Sequence, residues 1–429
     1  MSALHYVMFS LPTSSAGLNR PTALAIAATL TATACDDAPP QPEASSVTVW
    51  DSAGIEIVEN HAPEWGDSAL WTVDPEPEFV IGGTAVIESP DDPSQLIWNV
   101  RGVARLTNGN ILVHSGGEEA VFLFEPTGEL VTRIGRTGEG PGEFVRPQHI
   151  QVLPGDTIAV WDYMFTGVNY FDSTGLFLRK RPIDVATVLA STRTATETSP
   201  ESIRIPLRDG SFIVGRGLRE RPPLQPGEIR RPPVEYLRID TAYVLHSFGW
   251  WRSGEVMGMR SRWHRFPWPT FPRRSLVAAA GLPPSVYVTD GDRFEVRQFA
   301  ADGTLDRILR RDAAPVPITS DDLADWKARA AESTPNADWA EWERTLVTAP
   351  PREFHPAILG LFVDTEGYLW VWEPGFPGPG VFDPAGRWLG RVEGVPDRPQ
   401  WIDEEMILLL RTDPETDVQR IEGYRLRRN

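Results

Sequence analysis

One interval recurs along this chain and constrains it more than any other feature. Ile111 is followed thirteen residues later by Phe124, Ile158 by Phe171, Val286 by Phe299 and Leu369 by Phe382. Each interval opens in a short apolar strand behind a turn, and an aromatic closes it. The aromatic then leads into a second turn and another apolar position, as in Phe124-Glu125-Pro126-Thr127-Gly128-Glu129-Leu130 and Phe171-Asp172-Ser173-Thr174-Gly175-Leu176-Phe177. A fifth, looser unit runs from Asp209-Gly210-Ser211-Phe212-Ile213-Val214 to Tyr236-Leu237-Arg238-Ile239-Asp240, across a Pro/Arg-rich insertion. A sixth ends the chain, with Met406–Leu410, a turn at Asp413–Asp417, and Val418–Leu426.

Each unit reads as a small antiparallel sheet whose alternating side chains point to two opposite faces. One such sheet cannot bury both faces alone. Stacking the units radially buries them and leaves only short edges. The expected fold is therefore all-β, a six-bladed β-propeller with a small helical insertion, occupying residues 48–429. Closing the ring requires an outer strand from the other end of the body. Trp71-Thr72-Val73 or Phe79-Val80-Ile81 is the expected donor to the last blade.

The run Ile134-Gly135-Arg136-Thr137-Gly138-Glu139-Gly140-Pro141-Gly142-Glu143-Phe144, followed by Pro147 and the strand to Asp162, resembles an NHL-type repeat. More closely it resembles bacterial six-bladed β-propeller lipoproteins of uncharacterised function. Asp51-Ser52-Ala53-Gly54-Ile55-Glu56-Ile57-Val58-Glu59-Asn60 is similar to their opening segment. The resemblance spans roughly residues 48 to 426. It implies the fold and carries little about activity, because propellers host many functions.

Ahead of the body, Arg20 precedes the apolar run Ala23–Ala28 and Leu30, which ends in Ala32-Thr33-Ala34-Cys35. The run is too short to span a bilayer, which takes about 20 apolar residues, and it fits a signal-peptide core. Ala32–Cys35 resembles a bacterial lipobox, with Ala32 where Leu is usual. Residues 1–35 are read as a lipoprotein signal peptide ending at an acylated Cys35, with Met8 as a second candidate start. Residues 36–47, polar and Pro-rich, are read as a disordered tether. The expected location is the cell envelope, lipid-anchored on the periplasmic or extracellular face. Cys35 is the sole cysteine, so no intrachain disulfide is possible. A net charge of -18 argues against nucleic acid as a partner, since phosphate binding needs basic residues.

Two segments break the repeat. Residues 319–348 read as two short helices, with Leu323, Trp326 and Ala330 sharing a face of the first and Trp339, Trp342 and Leu346 sharing a face of the second. A flap packed on the propeller is favoured over a lid across the channel. The second segment, Arg204–Arg274, holds fourteen arginines against six acids. Within it, Trp250, Trp251, Arg252, Arg262, Trp263, Arg265 and Trp268 form the best candidate binding patch, because arginine beside aromatic rings recognises carboxylates, phosphates and sugars. Packing of these tryptophans between blades is the competing reading and is preferred.

Signals for chemistry are thinner. The glycine-rich run 135–142 lacks the ending of a phosphate loop and no helix follows, so it reads as an interblade loop. Aligning the repeats places Ser115, Asp162, Arg216, Asp290 and Glu373 at one level. Carboxylates on one level can hold calcium, which takes six to eight oxygens; local hydrogen bonds fixing each blade turn are preferred. Lactonase-like propellers hold calcium through Glu, Asp and Asn on inner strands, and here Asn99 is the main asparagine near a strand start. His149 and His355 precede inner strands and are candidate channel residues with Asp162, Asp290 and Glu373. No catalytic residue is assigned. The expected function is a binding or scaffolding module for a peptide, glycan or protein. The alternative is a metal-dependent hydrolase or lyase using the central channel, with calcium as its possible cofactor.

Overall fold

The structure is a computed structural model. It describes residues 45–428, apart from 67, 84–96, 163–166, 184–187, 189–197, 219–222, 261–267, 335–336, 396–398 and 414. Cys35 and the expected signal peptide lie outside the described residues.

Six antiparallel sheets make six blades, each entered from its innermost strand. Blade 1 holds Val100–Arg105, Ile111–Ser115, Ala120–Phe124 and Leu130–Ile134. Blade 2 runs from His149–Leu153 to Phe177–Pro182, and blade 3 from Thr198–Pro206 to Leu245–Arg252. Blade 4 runs from Leu276–Ala280 to Leu305–Arg311, and blade 5 from Gly360–Val363 to Trp388–Arg391. Blade 6 holds Pro399–Ile402, Met406–Thr412 and Gln419–Arg428. The thirteen-residue interval is a cross-strand pair. Ile111 faces Phe124, Ile158 faces Phe171, Val286 faces Phe299 and Leu369 faces Phe382 across the second and third strands. In blade 3 the same pair is Phe212 and Ile239, separated by the insertion.

Both expected donors close the ring. Trp71–Val73 pairs with Leu426–Arg428, and Phe79–Gly82 pairs with Arg420–Gly423, so the last strand of blade 6 is covered along its length. Upstream, Val47–Ser52 and Ile55–Asn60 form a hairpin turning at Ala53 (φ 56°) and Gly54 (φ 83°). Two successive positive φ values match the hairpin turn that follows strand twist. The second hairpin strand adds in parallel to the outer strand of blade 4, with Ile57 opposite Ile308. Buried Asn60 then binds the carbonyls of Arg310 and Gly386 and accepts from the Trp388 amide. The N-terminal segment thus belts blades 4, 5 and 6.

The hydrophobic core is divided among six junctions. Leu112, Leu123 and Ile150 share one between blades 1 and 2. Ala159, Trp161 and Phe212 fill the next, and Tyr236 with Val288 the one after. Val296 meets Val371, Trp370 meets Ile407, and Phe122 meets Leu408 to complete the circle. Trp161 and Trp370 are fully buried; burying a large apolar side chain contributes roughly 1.5–3 kcal/mol.

A seventh cluster stands apart. Helix α1, Ser320–Ser333, begins at a capping box between Thr319 and Asp322, and helix α2, Trp339–Leu346, is capped by Asp338. Trp326 and Trp342 stack at 5.3 Å, and the Trp342 indole N–H donates to the Trp268 carbonyl at 2.8 Å. Met257, Phe271 and Ala330 complete this core. The helices come from the blade 4 to blade 5 connection, and Met257, Phe271 and Trp268 from the blade 3 to blade 4 connection. A two-stranded ribbon, Ile229–Arg230 with Val256–Met257, joins the blade 3 insertion to them. These segments all leave the ring at the ends of strands on the same face, so together they cap it over blades 3 to 5.

Candidate functional site

The residues that the repeats align lie in or directly after the second strand of their blades. Asp162 is buried, and its carboxylate accepts from the Val145 and Arg146 amides at 3.0 and 2.7 Å. Ser115 bridges the backbone of Trp98, and buried Arg216 pairs with Glu235. Asp290 accepts from the Asp292 amide at 3.2 Å, while its carbonyl accepts from Arg231. These contacts fix blade turns. The glycine-rich loop is filled in the same way, by its own Glu143. That carboxylate accepts from the Gly140 amide at 2.9 Å and pairs with Arg136 at 2.7 Å, and these two contacts hold it below the usual range.

Glu373 differs. It is 3% exposed at the side chain and lies between two arginines, Arg311 and Arg391, the latter at 2.8 Å. Arg311 is held between the rings of Phe294 and Trp388, at 4.6 and 4.4 Å. Arg391 lies over Phe376 at 3.4 Å. Burial, with Arg391 adding a like charge, pushes Arg311 down to about 10, and burial does the same to Arg391. The Nε of Arg311 is buried with no hydrogen-bond partner among the described residues.

The same pattern repeats beside it. Glu295 takes Arg293, Arg297 and Arg310 at 2.9 to 3.1 Å. Burial alone would raise its carboxyl, but the three arginines outweigh burial and hold it low. Asp292 takes Arg231 at 2.7 Å, Arg252 at 3.5 Å and Arg273 at 3.7 Å. Three carboxylates are thus shared by eight arginines. Glu59 and Asp312 flank the group. In a chain of net charge -18 this is a local concentration of paired arginine.

Arg273, Arg293, Arg310 and Arg311, with Glu59, Asp292, Glu295, Asp312 and Glu373, line a cavity of about 850 Å³ between blades 4 and 5 and the connections to the helical cap, and Arg231, Arg252, Arg297 and Arg391 pair with three of those carboxylates without lining it. Phe354 and Phe376, 40% and 49% exposed, stand on its wall. That volume lies in the range of small-ligand sites. His355 lines it too, but turns toward the cap. Its Nε2 meets Asp322 at 3.3 Å, and its ring packs edge-on against Phe271 at 4.5 Å. Among the described residues no group of three or more His, Cys, Asp and Glu is placed to hold a metal ion.

The structure therefore brings Glu373, His355 and the neighbourhood of Asp290 to one cavity and leaves His149 and Asp162 on blade 2. The tryptophan and arginine patch is not one surface. Trp251 packs between blades 3 and 4 against Phe299, and Trp268 belongs to the cap. Trp250 is 46% exposed, and Arg252 reaches Asp292. Arg262, Trp263 and Arg265 lie outside the described residues. Sequence reasoning missed Arg310, Arg311 and Arg391, which end outer strands. The one available signal was the Arg310-Arg311 pair directly after the apolar Ile308-Leu309.

No helix among the described residues is long and apolar enough to cross a membrane. No curated protein matches the chain in sequence. Three solved structures superpose weakly. A Bacteroides fragilis protein described as exported is 12% identical, with 86% of this chain and 99% of that one covered and a TM-score of 0.42. A Xanthomonas campestris gluconolactonase is 14% identical, with 91% and 100% covered and a TM-score of 0.35. A Staphylococcus aureus virginiamycin B lyase, solved with quinupristin, is 10% identical, with 76% and 94% covered and a TM-score of 0.35. At this identity and superposition none of their activities transfers to this chain. Residues 93–197 match the family model described as a 6-bladed beta-propeller. The chain is a six-bladed β-propeller, and the matched stretch spans blades 1 and 2.

Proposed function

We propose that this protein is an exported binding module, lipid-anchored through Cys35, that receives an acidic partner in the cavity over blades 4 and 5. The partner is a peptide segment or glycan presenting carboxylates. One observation carries the reading: at a cavity with exposed aromatic walls, three carboxylates are shared by eight arginines, four of which line it. Guanidinium groups held in place by partial pairing and ring contacts are preorganised donors for carboxylate oxygens. Arg293 on the cavity wall and Arg252, which pairs with the lining Asp292, have side chains 71% and 70% exposed and are the ends available to a ligand. The carboxylates a channel metal would need are engaged elsewhere, Asp162 by backbone amides and Glu373 by arginines.

The test is titration of the protein with an acidic peptide panel and an acidic oligosaccharide panel, at low and high salt. Binding should weaken as salt rises, and Arg252→Ala with Arg293→Ala should weaken it at least tenfold while the thermal midpoint stays fixed. Binding indifferent to both salt and the double variant, or stoichiometric calcium with turnover of a lactone, would overturn this reading. Release of the protein from membranes by Cys35→Ala is the expected result for the anchor.

A further inference from the structure

A second constellation lies at the inner strands of blades 1 and 2, away from the cavity. The first strand of blade 1 pairs Val100 with Ser115 and Gly102 with His114, which leaves Arg101 as the extra residue of a β-bulge. Bulges of this kind re-aim a side chain. Two positions earlier, Asn99 sits at φ 53°, the left-handed region. Strained backbone persists where the surroundings over-determine it, and here they do. The Trp98 carbonyl accepts from the Ser115 hydroxyl and the Gly117 amide, and the Asn99 carbonyl accepts from the Gly116 amide.

The two glycines are what the arrangement requires. A Cβ on Gly116 would collide with the Arg101 guanidinium, and one on Gly117 would collide with the Trp98 indole. Arg101 and Trp98 therefore lie side by side, each over a glycine. Trp98 is 53% exposed. Arg101 makes no ion pair or hydrogen bond among the described residues. Arg146 is close enough to oppose its charge, and Glu119 to favour it. The carboxylates at the border are engaged by other groups: Glu118 takes Arg133 at 3.4 Å and the Trp98 N–H at 3.5 Å, and Glu119 takes the Thr137 hydroxyl at 3.4 Å. His149 begins the adjoining inner strand of blade 2.

We propose that this mouth of the ring is a second ligand site, for a carboxylate carried on a flat-faced six-membered ring. Trp98 is the stacking surface and Arg101 the carboxylate donor. An indole face packs against the ring of a sugar or an arene, and a guanidinium beside it fixes the acid by paired hydrogen bonds. Either a uronic acid or an aromatic acid satisfies that chemistry.

The experiment is calorimetric titration of the full chain with D-glucuronate and with benzoate, against glucose and acetate as partners lacking the acid or the ring. Saturable binding of one acid, at least tenfold tighter than its neutral or ringless counterpart, is expected, and which acid binds identifies the source. Arg101→Gln should weaken it at least tenfold. Gly117→Ala, which displaces Trp98 and removes no charge, should weaken it severalfold; Trp98→Ala gives the same readout if that variant does not fold. The proposal falls if neither acid binds, or if binding survives both Arg101→Gln and Trp98→Ala. It falls equally if binding is lost only in the Arg252 and Arg293 double variant, which would place the acid in the other cavity.

Discussion

Blades 3 to 5 and blades 6, 1 and 2 keep the same strand order and differ in what their connections add. In blades 1 and 6 the turn between the second and third strands is short, Gly116–Glu119 and Asp413–Val418. Blades 3 to 5 carry the ribbon, two helices and a core of their own, built on Trp326, Trp342 and Phe271. Charge follows the same division. Arginines near blades 4 and 5 are locked in threes and pairs on shared acids, whereas Arg101 on blade 1 is held by a bulge and a glycine. The template sets where strand ends lie; the loops decide whether a charge there is neutralised, shared or offered.

The largest expected effect tests what both halves share. Deleting residues 45–82 removes the strands that cover blade 6 and the hairpin on blade 4. The product should lose cooperative unfolding altogether in a denaturant titration. A single sharp transition at the wild-type midpoint would mean that the ring closes without them.

Next come two substitutions of similar size in different cores. Trp370→Ala at the blade 5–6 junction and Trp342→Ala in the cap each remove a fully buried indole, worth about 3–5 kcal/mol. Trp370→Ala should lower the global unfolding midpoint. Trp342→Ala should show first as faster amide exchange in α1 and α2, with a smaller shift of the midpoint. Equal global shifts would make cap and ring one cooperative unit.

A smaller effect depends on pH and belongs to blade 1. Burial, together with the nearby charges of His149 and Arg101, pushes His114 down to about 3. Pro147's carbonyl is turned toward the ring, yet neither ring nitrogen makes a well-formed hydrogen bond. Because the folded value is depressed, the unfolded chain takes up this proton first. Stability from this group is therefore complete above the ordinary value of 6.5 and falls as pH drops toward 3. The slope is at most about 1.4 kcal/mol per pH unit. His114→Phe should flatten that part of the stability curve, and an unchanged slope would remove His114 as its source.

The ring was legible because its signal is periodic. The interval Ile111 to Phe124 is a strand pair, and a pair repeated at constant spacing survives without any knowledge of the third dimension. Ring closure was legible for the same reason: six units leave one edge wanting. The helical insertion was legible from its cap, Thr319 with Asp322, and from two tryptophan faces. The sites were harder to read. Glu373 sat at the right level, but whether a carboxylate there meets a metal or two arginines depends on Arg311, 62 residues away along the chain, and on Arg391. The bulge at Arg101 adds one residue to a strand and leaves the apolar pattern intact. The tryptophans of the 250–268 segment looked like a surface because they are close in sequence; the fold sends Trp251 and Trp268 into different cores.

The belt has a mechanical consequence. Val47 pairs with Asn60, at the open end of the hairpin, so a load applied to the chain ahead of Val47 peels that strand one pair at a time. It must then pull Asn60 from blades 4 and 5 before any force reaches Trp71 and the seam of the ring. The hairpin is a sacrificial stitch: under tension it yields first and leaves the closed ring unstrained.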